Sequence, residues 1–209
     1  MIDVVIEVID ARVPFSSHNE MLDDLTQGKS KLLVFSKADY VNKQHLEKCI
    51  RIYEAKGYVC IAANINSQND RDKVLKAIND AGSVIKEKFA NKGINKKIRI
   101  LVMGMPNVGK STLINFLSMK RKVNVGNKPG VTKQQQWIGV GDDLELLDTP
   151  GILVPKINDY EQGYRLVLCS LIKDDVVHLD DIAVYLLKHL YETNNSYFIE
   201  RYKIDMEAE

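Results

Sequence analysis

The chain has 209 residues, 45% of them hydrophobic and 27% charged, an ordinary globular composition that excludes wholesale disorder and collagen-like or mucin-like repeats. That length favours one domain, or one domain and part of a second. Lys and Arg number 29 against 28 Asp and Glu, a formal net charge of +1, so any hold on nucleic acid or a membrane surface must come from a local patch.

Val4 to Ile9, Leu32 to Phe35 and Tyr58 to Ala62 are short apolar, β-branched runs with helix-length segments between them, the pattern of buried strands. Gln44 to Lys56 reads as a helix closed by Gly57 just beyond its C-cap. A longer helix is expected over about Asp70 to Asn91, capped by Asp70, with Val74, Leu75, Ile78 and Ile85 facing a core and Gly93 beyond its end. IRILVMG is another buried strand. A helix from Ser111, a loop rich in Gly, Lys and Pro, and strands over Gln136 to Val140 and Leu144 to Leu147 follow. Strands alternating with crossover helices predict a three-layer α/β domain with a mostly parallel sheet. From about Asn158 the strand-like runs stop, and Asp180 or Asp181 caps the amphipathic helix IAVYLLKHLYET. The division expected is therefore 1–157 and a helical segment, 158–209, that is part of a further domain.

Three cysteines, Cys49, Cys60 and Cys169, match neither a disulfide framework nor a C-x-x-C pair and point to a reducing compartment, the cytoplasm or an organellar matrix. No apolar run approaches the roughly 20 residues of a membrane helix. The chain opens on DVVIEVID with no lead-in, the expectation for a truncated sequence.

Gly104-Met-Pro-Asn-Val-Gly109-Lys110-Ser111 matches G-x-x-x-x-G-K-S/T, with a strand running in and a helix running out. The chemistry needs that arrangement: glycines let the backbone curl with its N–H groups inward, and the helix N-terminus adds partial positive charge at a phosphate. Pro106, Asn107, Val108, Gly109 and Thr112 belong to the cradle, Lys110 reaches the β- and γ-phosphates, and the Ser111 hydroxyl is a magnesium ligand. Asp148-Thr149-Pro150-Gly151, after an apolar strand, supplies a second half: Asp148 for the magnesium and the Gly151 N–H for the γ-phosphate. Between the two motifs, Thr132 of PGVT is the candidate switch residue, closing on magnesium and γ-phosphate. Lys110, Thr132 and Gly151 are the candidate catalytic set.

Guanine presents two N–H donors on one edge where adenine does not, so a guanine reader needs a carboxylate there. Ser36-Lys37-Ala38-Asp39, directly after KLLVF, fits: Asp39 for the base edge, Lys37 stacking its stem over the ring, and Ser36 where Asn is commoner. The same four residues also make a reasonable helix cap and start. A third base-contacting loop belongs after the next strand, where Asn66 and Ser67 are the best matches. Asp39 precedes Gly104, the reverse of the usual order in GTPases. Such a sheet still forms, because circular permutation joins termini that lie close together, with the helix from Asp70 and the stretch 92–97 as the new connection.

With these motifs in that order, VIDARVPFSSHN, GMPNVGKSTLIN, PGVTKQQQW, LELLDTPGILVPK and IKDDVVHLDDIAVYLLKHL resemble the circularly permuted GTPases, most closely the ribosome biogenesis GTPase A (YlqF) family. The resemblance covers most of the chain. It implies binding of GTP and GDP with magnesium and a role in late assembly of the large ribosomal subunit, through its RNA and proteins, by a monomer. It also implies potassium held by Asn107. Ile152 stands where many GTPases place a water-orienting Gln, and the family's N-terminal histidine has no counterpart, since the chain begins after that point. Slow intrinsic hydrolysis, activated by the ribosome, is the expectation. An ATP-dependent P-loop kinase and a non-hydrolysing GTP-binding scaffold are the alternatives.

Outside these motifs, His45, His178 and His189 read as surface or capping residues and Trp137 as packed on the sheet. Lys96, Lys97, Arg99, Lys120, Arg121, Lys122, Lys128 and Lys133 are a candidate RNA-phosphate patch.

Overall fold

The computed structural model describes residues 1–64, 67–119, 136–151, 157, 159–193 and 196–203. Strands β1 (Val4–Asp10), β2 (Ser30–Ser36), β3 (Val59–Ala62), β4 (Ile98–Met103), β5 (Gln136–Val140) and β6 (Leu144–Asp148) form one sheet in the order β3-β2-β1-β4-β6-β5. Every neighbouring pair is parallel except β5, which runs antiparallel to β6 at the edge. The helices are α1 (Pro14–Ser17), α2 (Met21–Leu25), α3 (Lys43–Ala55), α4 (Gln68–Ala90), α5 (Lys110–Ser118), α6 (Tyr160–Leu168), α7 (Leu179–Glu192) and α8 (Ser196–Tyr202).

All of β1 is buried, as a central strand covered on both faces requires. Val4, Ile6 and Val8 point into a core shared with Val74 and Ile78 of α4 and Leu113 and Leu117 of α5. On the opposite face Ile9 meets Leu46 and Tyr53 of α3, and Val5 meets Leu22 of α2. Helix, sheet, helix is thus the layering, as the alternation of strands and helices predicts. Leu166, Leu171 and Ile172 join the main core, so the first helix after the sheet packs on it directly.

Two helix caps differ from expectation. Ser67, not Asp70, caps α4: its hydroxyl accepts from the Asp70 N–H, while the Asp70 carboxylate accepts from the Asn64 N–H at 3.0 Å. Either residue is a competent cap, and the tight turn leaving β3, with the Ser67 N–H donating to the Asn64 carbonyl, selects the earlier one. At α7 the N-cap is His178, whose side chain makes no capping bond, and Asp180 and Asp181 lie in the first turn, where their charge complements the helix dipole. Gly57 follows the α3 C-cap with φ +90°, as expected of a helix-terminating glycine.

His45, His178 and His189 are exposed. Trp137 is also exposed, with the Arg99 guanidinium 5.4 Å above its ring. Of the basic patch, Lys96 pairs with Asp3, and Lys97 and Arg99 pair with Glu145. Lys120, Arg121, Lys122, Lys128 and Lys133 lie outside the described residues, as do Asn66, Thr132 and Ile152. No helix among the described residues is long and apolar enough to cross a membrane.

Candidate functional site

The parallel strands deliver their carboxyl ends to one edge of the sheet, and strand order reverses between β1 and β4. Open α/β sheets bind ligands in the crevice at such a point. Here the loop 104–109 leaves β4 and the Asp10 carboxylate ends β1.

The loop's backbone explains its glycines. Gly104 has φ +141°, and a Cβ there would lie 2.4 Å from the Val8 carbonyl oxygen. Gly109, φ +104°, is the N-cap of α5. Asn107 is left-handed too, φ +57°, a conformation Asn tolerates better than most side chains. Lys110 is buried, and its Nζ donates to the carbonyls of Gly104 and Met105 at 3.2 and 2.8 Å. Burial pushes its pKa down to about 8, with Asp148 partly offsetting the shift. A cation held by neutral carbonyls in a loop of inward amides is a poised anion receptor.

Asp148, wholly buried at the end of β6, accepts from the Ser111 hydroxyl at 3.1 Å. A hydroxyl and a carboxylate at that separation are hard oxygen donors that fit magnesium. The Thr149 hydroxyl ties the next turn to the Val102 carbonyl at 2.7 Å. Gly151 passes so near the phosphate loop that a Cβ on it would lie 2.6 Å from Pro106 backbone atoms, so the two phosphate motifs meet there.

Beside the loop lies a pocket of about 490 Å³ lined by Ser36, Lys37, Asp39, Tyr40, Ala63, Asn107, Gly109 and Thr112, with Arg12, Leu113, Cys169 and Ser170. The Ser36 hydroxyl lies within hydrogen-bonding distance of the carbonyls of Ile9 and Val108, so the serine standing where Asn is commoner still braces the phosphate loop. Lys37, left-handed at φ +56°, donates to the Asn107 carbonyl at 3.0 Å and to Asp10 at 2.7 Å. Lys37 is one of the residues that line the pocket. Ser67 is not among the lining residues; Ala63 of the same segment is. Val108 is buried in the main core, where it anchors the loop.

A model of the 50S ribosome-binding GTPases matches residues 99–205. Ribosome biogenesis GTPase A of Bacillus cereus is 42% identical over 209 residues, an alignment covering 98% of this chain and 70% of that protein. The chain belongs to the ribosome biogenesis GTPase A family. The Bacillus pumilus member is 40% identical over 208 residues, covering 98% of this chain and 73% of its own. GNP-bound YlqF from T. maritima superposes with a TM-score of 0.58 at 23% identity, over 98% of this chain and 72% of that one, a likeness of fold.

Arg12 and Lys37, which line the pocket, both bind Asp10, a residue the motifs did not assign. Asp10, fully buried, accepts from Arg12 Nε at 2.9 Å, Arg12 Nη2 at 2.7 Å and the Arg12 N–H at 3.0 Å, besides Lys37. Burial alone would raise its pKa, but Arg12 and Lys37 outweigh burial and hold it low. The available signal was an acid closing a mostly apolar strand, followed two residues later by an arginine.

Proposed function

We propose that this chain binds GTP with magnesium, hydrolyses it slowly on its own, and acts as a monomeric switch in assembly of the large ribosomal subunit, which activates hydrolysis. The observation that carries this reading is the union of a carboxylate, Asp39, and the phosphate-loop residues Asn107, Gly109 and Thr112 on one pocket. In it, Asp39 accepts from the guanine edge and Lys37 covers the ring. The loop amides and Lys110 hold the phosphates, and Lys110 stabilises charge as it develops on the γ-phosphoryl oxygens. Magnesium, held by Ser111 and Asp148, would neutralise the β- and γ-oxygens. The Gly151 N–H and Thr132 complete the γ-phosphate contacts. Potassium would draw on the Asn107 side-chain carbonyl, since its amide nitrogen donates to the Ser170 carbonyl at 2.7 Å. The G domain ends near residue 157, and the helices beyond it begin the part that meets the ribosome. Cytoplasm or organellar matrix suits its three unpaired thiols.

Titration of GTP, ATP and XTP with magnesium into wild type and Asp39→Asn tests the base assignment. Wild type selects GTP, and the variant exchanges that preference for XTP, whose 2-oxo group accepts from the new amide. Equal binding of ATP and GTP by wild type would favour the kinase reading. Large subunits should then raise the GTP turnover of wild type.

A further inference from the structure

The end of α6 is built as a rigid corner facing the nucleotide pocket. Ser170 takes the left-handed conformation, φ +59°, and its N–H donates to the Val167 carbonyl while that of Leu171 donates to the Leu166 carbonyl, both at 2.8 Å. This pair of bonds is the Schellman closure, normally built around glycine. A serine there carries the steric cost glycine avoids. Leu166 and Leu171, both fully buried, clamp the corner from beneath.

The corner is also gripped from the G domain. Arg12 Nη2, while bound to Asp10, donates to the Cys169 carbonyl at 3.0 Å, and Asn107 Nδ2 donates to the adjacent Ser170 carbonyl at 2.7 Å. Two consecutive carbonyls left without helical partners are thus satisfied by a β1-end residue and a phosphate-loop residue. Cys169 and Ser170 line the same pocket as Lys37 and Asp39. Arg12, Asp10 and Lys37 all lie close enough to act electrostatically on the Cys169 thiol, which burial pushes upward in pKa.

We propose that the Cys169–Ser170 corner is a wall of the guanine pocket, and that Arg12 is the positioning residue that holds it there. The proposal rests on the pocket being the guanine site. The base is common to GTP and GDP, so this wall distinguishes a filled site from an empty one, not one nucleotide from the other.

Cysteine footprinting of the full chain tests this. Alkylation by iodoacetamide is followed at each cysteine by peptide mass spectrometry, with fluorescent GDP reporting occupancy. Saturating GDP and magnesium should slow labelling of Cys169 at least about tenfold, while Cys49 and Cys60, which do not line the pocket, label at unchanged rates, and ATP should protect nothing. Arg12→Lys keeps the charge and loses the forked grip; it should speed release of fluorescent GDP about tenfold and erode the protection. Arg51→Lys, at an exposed α3 position that does not line the pocket, should leave release unchanged. Unprotected Cys169 in a chain with GDP demonstrably bound would overturn the wall while sparing the guanine reading, and wild-type release from Arg12→Lys would overturn the role of Arg12. Failure of fluorescent GDP to bind at all would overturn both.

Discussion

Two lysines, the half-buried Lys31 and the buried Lys110, one on each side of β1, set the nucleotide site apart from the rest of the core. Lys31, at the start of β2, sits 2.7 Å from Glu7 Oε2 and pairs with Asp23 as well. Glu7 also bonds His18 Nδ1 at 3.1 Å and the Asn19 N–H at 2.9 Å, and Tyr58 donates its hydroxyl to Asp23. Burial would raise the Glu7 pKa, but His18 and Lys31 outweigh it and hold the carboxyl below its usual value. Lys110 has backbone carbonyls instead, and its pKa falls to about 8. A buried charge closed on by its own carboxylates belongs to the fold; one left on neutral oxygens beside a ring of amides awaits an anion.

Substitutions that remove each charge should separate the two regions. Lys110→Met should weaken GTP binding by at least about a hundredfold, roughly 3 kcal/mol, without lowering the melting temperature of the nucleotide-free chain. Lys31→Met leaves Glu7 and Asp23 without their shared cation and should cost about 3 to 5 kcal/mol in denaturant unfolding, with GTP affinity in the surviving folded chain near wild type. The reverse assignment of losses would refute the distinction.

Protons offer a finer test. In the nucleotide-free protein Lys110 releases its proton at about pH 8, below the ordinary lysine range near 10.4. Between those values the unfolded chain holds the extra proton, so stability rises with pH there, and the difference between wild type and Lys110→Met should show that slope. A bound phosphate restores the charge. Nucleotide binding near pH 8.5 should therefore take up protons, measurable by calorimetry in buffers of different ionisation enthalpy, and Lys110→Met should abolish that uptake. The smallest effect expected is from Ser67→Ala, which removes the α4 cap and should cost about 1 kcal/mol while leaving nucleotide affinity alone; a large loss of affinity would return Ser67 to the base pocket.

The loop 104–109 was legible because its shape is set by backbone. Amides converge only if Gly104 and Gly109 take conformations other residues avoid, and that demand is written in a contiguous stretch. Strand identity and layering were legible for a similar reason, since the buried positions of β1 and β4 are apolar apart from Glu7 and Asp10. The pocket that Asp39 lines was only partly so. Asp39 carries a recognisable spacing, but Arg12 meets the Cys169 carbonyl across 157 residues of chain, and a backbone acceptor leaves no trace in residue type. Helix ends failed for the simplest reason: Ser67 and Asp70 are both good caps, and the turn out of β3, which no local pattern specifies, decides between them.

The strand order has a consequence for synthesis. The chain makes β1, β2 and β3 first, and these alone form a three-stranded parallel set with α3 against one face. The other side of β1 is filled by β4, in register from Val4 opposite Ile100, which arrives only after the whole of α4 has been made. Until then a nascent chain carries the apolar border of its most central strand unpaired, a template for illicit pairing. The half that carries Asp39 must wait, with that border shielded, for the half that carries the loop 104–109.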